Sequence, residues 1–351
     1  MNAPAAVAPL AVLVADPDDA RLDAFVRAHP EGRLFHLPRW TAAVEKGTRQ
    51  KGHYLVAEQG GAVRGVLPLT EIRSPLFGNA LVSAGFGTGG GILATDDRAA
   101  DALARAAWAL AVRLGCKSAE LRGGPVPDGW QASTGTYANF DRALSGDADS
   151  LLGSVPKRQR AEVRRALTFS LESTSGTDRR HRDAHYRVYA ESVRNLGTPV
   201  FPRRLFETML DAFGDDAWIH VIWKNGRPLA ALLGFNHAGS CCPYWGGGTR
   251  EARQWRANDL IYYEAMRRGL EAGCTRADFG RSKIGTGPWE RKRLWGFDET
   301  ALTYAARAAD GEALRAVNPL DPRYRRRIEV WQRLPLWVAN RIGPIIARGL
   351  G

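Results

Sequence analysis

The densest group of chemically active side chains lies in residues 278–287, with the sequence DFGRSKIGTG. It follows a predicted strand, and the polar and small residues that it offers are Arg281, Ser282, Lys283, Gly285, Thr286 and Gly287, with Lys292 a short distance beyond. Fixed backbone donors together with Arg and Lys bind a phosphate, or stabilise a developing oxyanion, without reorganising. The string therefore predicts an anion or oxyanion site, and a polar loop ended by glycines is the alternative.

A second polar group comes earlier, in PYWGGG at 243–248 and at the start of a predicted helix at 257–272. Tyr244 lies in the first string, and Asn258 and Asp259 open the helix. One of the latter two is explained as a helix N-cap, but a cap does not explain both.

A third group is a basic helix predicted to begin near Pro156. It carries Lys157, Arg158, Arg160 and Arg164, and residues 157–182 contain eight basic and three acidic side chains. Such a surface binds a phosphate backbone in a salt-dependent way, and a solvated helix face is the alternative. The chain has a net charge of +12, and residues 151–351 carry +13 while residues 1–150 carry −1. The composition thus favours an anionic partner for the C-terminal part.

Several classes of protein are disfavoured. The 351 residues, 44% of them hydrophobic, suffice for about two packed domains. The four cysteines have no C-x-x-C spacing, which favours free thiols in a reducing compartment. His181 and His185 lack a third ligand, so no metal is expected, and no G-x-S-x-G string indicates a serine hydrolase.

The predicted elements recur in two copies. Each half has a hairpin, a glycine turn, a long helix and a strand: 53–58 with 62–69, 85–91, 97–114 and 118–122 in the first, and 218–223 with 229–236, 246–248, 257–272 and 276–279 in the second. Two copies of one α/β unit are therefore expected. We place the first domain at 1–145, the second, with the candidate site, at 146–322, and a tail at 323–351.

The tail carries seven basic side chains and one acidic one among tryptophan and aliphatic residues. That composition is typical of a segment on an anionic membrane, although Pro335 and Pro344 favour a helix docked on the second domain. With no uncharged apolar run long enough for a span, the protein is expected to be cytoplasmic, and contact of residues 323–351 with the inner membrane stays open.

A resemblance is carried by several strings together: FHLPRW at 35–40, RSPLFGNALVS at 73–83, PKRQRAEVRRA at 156–166, RNLGTPVFP at 194–202, PYWGGG, AND at 257–259, DFGRSKIGTG and NPLDPRY at 318–324. Over almost its whole length the chain resembles the FemAB-like branch of the GNAT acyltransferase superfamily, and more narrowly the subgroup associated with PEP-CTERM/exosortase and exopolysaccharide systems. The resemblance implies an α/β (α+β) fold of two tandem GNAT-like domains with mixed sheets flanked by helices.

The resemblance also implies a cytoplasmic enzyme that forms an amide bond on an amine of a cell-envelope or exopolysaccharide precursor. Peptidoglycan-bridge members of the wider family take the amino acid from aminoacyl-tRNA. Here Arg281 and Lys283 would bind phosphate or the oxyanion, and the basic helix would hold an anionic donor. Tyr244 and Asp259 would orient the acceptor amine, and Asp259 is the better candidate to accept its proton. The expected partner is tRNA or a CoA-like molecule, with no tightly bound cofactor and no DNA. The acyl-CoA signature Q/R-x-x-G-x-G/A is missing, which favours a donor other than acetyl-CoA. Two alternatives remain: an acyl-CoA or acyl-carrier-protein N-acyltransferase acting on a sugar amine, and an inert GNAT-fold assembly factor.

Overall fold

The computed structural model describes residues 8–16, 18–147, 150–312 and 322–351. The strands within these ranges are β1 (Leu10–Val14), β2 (Lys51–Gln59), β3 (Ala62–Ser74), β4 (Gly78–Ser83), β5 (Leu93–Ala94), β6 (Ser118–Arg122), β7 (Gln131–Ala143), β8 (Glu172–Gly176), β9 (Ala217–Lys224), β10 (Arg227–His237), β11 (Ser240–Gly248), β12 (Arg276–Lys283) and β13 (Asp298–Ala308). The helices are α1 (Ala20–Ala28), α2 (Pro38–Thr48), α3 (Asp97–Arg113), α4 (Leu151–Ser154), α5 (Lys157–Leu167), α6 (Arg179–Asn195), α7 (Arg203–Phe213), α8 (Ala257–Glu271), α9 (Gly287–Leu294), α10 (Pro322–Arg333) and α11 (Leu336–Ala347).

The chain divides into two compact units. The first comprises Met1–Thr134, Thr303–Val317 and Arg348–Gly351, and the second comprises Gly135–Leu302 and Asn318–Ala347. Every candidate site residue lies in the second unit. The domain limits expected from the sequence stay a prediction.

In the first unit the strand order is β1-β2-β3-β4-β6-β13, with β5 beside β3. The β2–β3 hairpin turns at Gly60 and Gly61, whose φ angles of 58° and 80° suit a tight two-residue turn that other residues adopt only under strain. Asp96 caps the N-terminus of helix α3, because its side chain accepts a hydrogen bond from the Ala99 amide. The alanine-rich face of α3 packs on β2 and β3. The glycines at 85–91 lie in a tightly packed turn, where a methyl group on Gly91 would collide with the Gly123 carbonyl.

In the second unit the order is β7-β12-β11-β10-β9-β8. Neighbouring strands are antiparallel except β11 and β12, which are parallel. Asn225-Gly226 and Ala238-Gly239 form the two hairpin turns with positive φ. Helices α6 and α8 pack against β9, β10 and β11, and α8 contributes Leu260, Ile261 and Met266 to a core that also contains Trp218 and Trp295.

The helices and strands predicted for both halves are confirmed, but the glycine turn predicted at 246–248 is wrong, because these residues belong to β11. In the tail, Leu334 and Pro335 separate α10 from α11, and Pro344 lies inside α11. Among the described residues, no helix is both long and apolar enough to cross a membrane.

Candidate active site at the separation of two parallel strands

The centre of the second unit is the place where β11 and β12 stop pairing. The described strands share two ladder pairs, Ser240 with Arg276 and Cys241 with Ala277. A bulge follows in each strand: Tyr244 falls in the register shift of β11 against β10, and Gly280 falls in that of β12 against β7. Bulges interrupt a ladder and re-aim side chains, and they are frequent next to active sites.

The two bulges face each other. Gly280 has a φ of 63°, and a methyl group on it would lie 3.9 Å from the Tyr244 ring. Asp278 fixes the β12 bulge because its Oδ1 accepts from the Gly280 amide at 2.8 Å and from Asn139 Nδ2 at 3.1 Å. The two strands thus separate at defined positions, and their backbone groups beyond the last shared pair are not consumed by a common ladder.

Helix α6 supports β11 from its buried side. His185 is completely buried, and burial lowers its pKa to about 4, so the imidazole is neutral and its Nε2 donates to the Trp245 carbonyl at 2.9 Å. Ser192 of α6 packs against Gly247, and a methyl group on Gly247 would lie 2.1 Å from the Ser192 hydroxyl. A methyl group on Gly248 would likewise lie 2.1 Å from the side-chain oxygen of Asn258 in α8. Gly247 and Gly248 therefore allow two helices, α6 and α8, to approach β11.

Asp259 lies in the first turn of α8, where the helix dipole favours a negative charge. Its Oδ1 accepts from Arg291 Nη2 of α9 at 2.8 Å. Burial raises the pKa of Asp259, while the Arg291 charge acts in the opposite direction. Desolvation prevails, so Asp259 is a carboxylate that takes up a proton more readily than an exposed aspartate.

Helices α8 and α9 begin after β11 and β12, at the carboxyl ends of neighbouring parallel strands. Neither first turn is capped by a side chain in the described structure, and Arg256 precedes α8 with a φ of 55°. Uncapped N-terminal amides with the positive end of the helix dipole form a binding site for anions. Both helices present this property at the edge of the sheet where the strands have separated.

The end of β12, the short loop after it and the start of α9 contain most of the predicted anion-binding residues. Arg281 stacks on the Tyr137 ring at 4.6 Å, Ser282 is buried, and burial lowers the pKa of Lys283. Thr286 donates from its hydroxyl to the Lys283 carbonyl at 2.7 Å. A methyl group on Gly285 or Gly287 would meet nothing within 4 Å, so this backbone is open to a ligand.

Lys292 lies inside the protein and not on the surface of this loop. Its Nζ donates to the carbonyls of Phe279, Gly280 and Arg281 at 2.6, 3.0 and 3.2 Å. Burial lowers its pKa to about 7. In this structure Lys292 holds the β12 bulge in place.

The basic helix α5 packs on α8. Lys157, Arg158 and Arg164 are exposed, whereas Arg160 donates from Nε and Nη2 to the Val155 carbonyl at 3.2 and 3.0 Å. Glu162 of α5 forms an ion pair with Arg256 at 2.8 Å. The structure therefore ties α5 to the residue before α8, and it uses Arg160 locally.

The predicted residues thus fall into a central group and a flanking one. The central group lies on β11, on the start of α8, and on β12, α9 and the loop between them; it is Tyr244, Asn258, Asp259, Arg281, Ser282, Lys283, Gly285, Thr286, Gly287 and Lys292. The flanking group is the face of α5. Sequence reasoning missed Arg291 and His185 as supports; Arg291 stands beside Lys292 in a basic run, but only packing shows that it contacts Asp259.

Comparison with known proteins adds the family to this geometry. Residues 156–292 match the acetyltransferase (GNAT) domain family. FemX has a similar fold, with a TM-score of 0.64 at 16% identity over 84% of this chain and 96% of that one. A tandem GNAT protein from the clavulanic acid biosynthesis pathway follows, with a TM-score of 0.58 at 13% identity over 87% of this chain and 100% of its own.

L-PGS from Bacillus licheniformis is similar as well, with a TM-score of 0.54 at 13% identity over 86% of this chain and 95% of that one. No curated protein matches the sequence significantly. These neighbours confirm the predicted fold of two tandem GNAT-like domains and are consistent with the FemAB-like branch of that superfamily. The PEP-CTERM association stays a prediction.

Proposed function

Residues 156–292 form a GNAT acyltransferase domain, and from this premise we propose that the protein transfers an activated acyl or aminoacyl group to an amine of a cell-envelope or exopolysaccharide precursor, forming an amide bond. The observation that carries the proposal is the separation of β11 and β12 between two facing bulges. An extended donor arm fits between separated strands because their backbone groups can pair with it as a further strand would.

The anionic part of the donor would lie at the same edge. The uncapped N-termini of α8 and α9 and the open backbone of Gly285 and Gly287 supply amide donors there. The exposed cations of α5, Lys157, Arg158 and Arg164, supply the charge. A phosphate-bearing donor such as aminoacyl-tRNA or a CoA ester would satisfy both features.

The reaction requires little covalent chemistry from the protein. The amine nitrogen attacks the carbonyl carbon of the ester or thioester, the tetrahedral intermediate carries an oxyanion, and its collapse expels the alcohol or thiol. Positioning of the two reactants supplies much of the rate. We assign oxyanion stabilisation to Arg281 and Lys283, and orientation of the amine to Tyr244.

Asp259 is assigned the proton that the amine loses, directly or through a water. Its raised pKa suits this role, because a base works best when its pKa approaches the operating pH. Arg291 orients the carboxylate through the 2.8 Å hydrogen bond.

Two donor classes remain to be distinguished. An aminoacyl donor is supported by the fold similarity to FemX and L-PGS, and an acyl-CoA donor by the match of residues 156–292 to an acetyltransferase domain. Native mass spectrometry with total aminoacyl-tRNA, acetyl-CoA and longer acyl-CoAs, each added in turn, separates them. Salt-sensitive binding of charged tRNA supports aminoacyl transfer, and binding of a CoA ester supports N-acyl transfer.

The site assignment is tested by replacing Arg281 and Lys283 with alanine. We expect transfer to the amine to fall by about 100-fold or more, as for other oxyanion donors. The matched control is Arg98→Ala with Arg105→Ala, which removes two exposed cations from α3. Intact turnover in a folded Arg281/Lys283 variant would refute the assignment, and binding of no donor would favour an inert assembly factor or a carrier-protein donor.

A further inference from the structure

Helix α11 faces the protein with its small residues and the solvent with its large apolar ones. Ala339, Gly343 and Ala347 are buried, and a methyl group on Gly343 would lie 3.2 Å from Val200. Trp337 and Ile345 are each 73% exposed. This orientation is the reverse of that in a helix docked through its apolar side. Large apolar side chains exposed on one helix are typical of an interaction site.

An arginine-rich cavity adjoins the same helix. It has a volume of about 770 Å³ and is lined by Arg179, Arg182, Asp183, Tyr186, Arg187, Arg203, Glu207 and, from α11, Asn340. Its four arginines and two carboxylates leave a net positive charge of two. The cavity therefore favours an anion directly beside the exposed apolar face.

Two of these arginines retain cationic groups that are available to a ligand. Arg203 is held by Asp183 and Glu207, and Arg182 by Asp211. Arg187 is exposed and has no ion pair or hydrogen bond to any residue that the structure describes. The Arg179 side chain is 95% exposed, and its Nε lies 3.8 Å from Asp183.

We propose that these features form one docking surface for an anionic phospholipid bilayer. The tail surface consists of Trp337, Ile342 and Ile345 of α11, with Arg179 and Arg187 of the adjoining cavity. A lipid phosphate enters the cavity, while the tryptophan and the isoleucines insert at the boundary between headgroups and acyl chains.

The side chains of the tail surface favour a bilayer over a soluble partner. Tryptophan concentrates at the membrane interface, since its ring is apolar and its N–H polar. The exposed arginines Arg326, Arg333 and Arg341 of the tail add attraction to anionic headgroups. Stable attachment of a peripheral protein requires both an apolar and a basic signal, and both are present here. The proposal does not rest on the proposed function.

The test is sedimentation of the full-length protein with two kinds of vesicle: phosphatidylcholine alone, and phosphatidylcholine with phosphatidylglycerol at about 3:1. We expect binding to the anionic vesicles that weakens with salt. Arg179→Ala with Arg187→Ala should lower partitioning to anionic vesicles about 25-fold, at about fivefold for each arginine. Trp337→Ser with Ile345→Ser should abolish sedimentation with the anionic vesicles.

Controls separate a surface effect from a folding effect. Leu76→Ser with Val112→Ser removes two apolar residues that are 68% and 57% exposed elsewhere, and Arg98→Ala with Arg105→Ala removes two exposed cations. All variants are compared by circular dichroism and thermal melting. We expect both control variants to bind vesicles as the wild type does.

Three results would overturn the proposal. The first is equal sedimentation of the wild type and both tail-surface variants. The second is a concentration-dependent dimer, seen by light scattering without vesicle binding and lost in the Trp337/Ile345 variant, which would make the face a contact between two copies. The third is stabilisation by inorganic phosphate, lost in the Arg179/Arg187 variant, without vesicle binding; the cavity would then bind a free anion.

Discussion

Lys292 provides a measurement that tests the architecture of the site without a substrate. The lysine is 7% exposed, and its ammonium group donates to three carbonyls of the β12 bulge. Replacement by methionine keeps an unbranched side chain that is one atom shorter and removes the titrating group. The variant therefore isolates the free energy associated with one buried proton.

The sign follows from the two pKa values. The ordinary lysine pKa is 10.5, and burial lowers it to about 7 in the folded protein. Between these values the unfolded chain binds more protons than the folded one, so the contribution of Lys292 to stability rises with pH. One pKa unit corresponds to about 1.4 kcal/mol, so from about pH 7 to about pH 9.5 the wild type should gain about 3 kcal/mol relative to Lys292→Met.

The assay is urea unfolding of both proteins, followed by circular dichroism, at the two pH values. The difference between them cancels the other groups that titrate in this range, among them Cys116, whose pKa burial raises. The control is Lys46→Met, which removes an exposed lysine of α2. A wild-type advantage over Lys292→Met that is the same at both pH values would show that Lys292 is hydrated, and the description of the bulge would be wrong.

Three further predictions concern the same unit. Asp259→Asn should lower kcat about 100-fold or more and flatten the acidic limb of the pH–rate profile, because the raised pKa places loss of the carboxylate base on that limb; initial rates measured against pH check this. Burial lowers the pKa of His185 to about 4, so the unfolded chain takes up a proton at this residue before the folded one does. As the pH falls from about 7 to about 4.5, the free energy of unfolding of the wild type should therefore decrease by about 2 kcal/mol more than that of His185→Asn, as measured by urea unfolding. Gly246→Ala should destabilise the protein by about 1–3 kcal/mol in thermal melts, and by more than Gly247→Ala, because its methyl group meets the Ala231 carbonyl at 2.5 Å whereas Gly247 faces a movable serine hydroxyl.

Each of these predictions has a contradicting result. An unchanged acidic limb in Asp259→Asn would show that water or another group, and not Asp259, accepts the proton of the amine. If the free energy of unfolding fell equally with pH in the wild type and in His185→Asn, His185 would not be buried as the structure shows. Equal melting temperatures of the two glycine variants would show that β11 and β10 approach each other less closely than the structure shows.

The sequence by itself determined many of the local elements of both units, although it did not predict strands β8 and β13 or helices α2 and α9. Asn225-Gly226 predicts the hairpin between β9 and β10, since both positions need positive φ. The alanine-rich spacing after Asp96 predicts α3, because the aspartate caps the helix and the apolar residues recur on one face. These signals depend on neighbours in the chain. Strand β7 was not predicted, because QASTGTYANFDRA offers little β-branched or alternating pattern.

The string DFGRSKIGTG likewise predicted a site at the end of β12 and in the loop after it, from residue type and spacing, and its anion-binding role stays a prediction. The role of Lys292 was different. The sequence placed this lysine with the donor-binding cations, whereas packing turned its Nζ inward to three carbonyls of β12. Burial of a charge depends on which elements cover it, and a linear pattern does not contain that information.

Tertiary structure alone decided three relations. It placed the Tyr244 bulge opposite Gly280, joined Asp259 to Arg291 across two helices, and turned Trp337 to solvent while Gly343 packs on Val200. Composition had left two alternatives for the tail, a docked helix and a membrane-facing segment, and the fold shows a docked helix with its large apolar residues outward. These contacts join residues that are distant along the chain, so they form only when the elements of the unit pack together in the folded state.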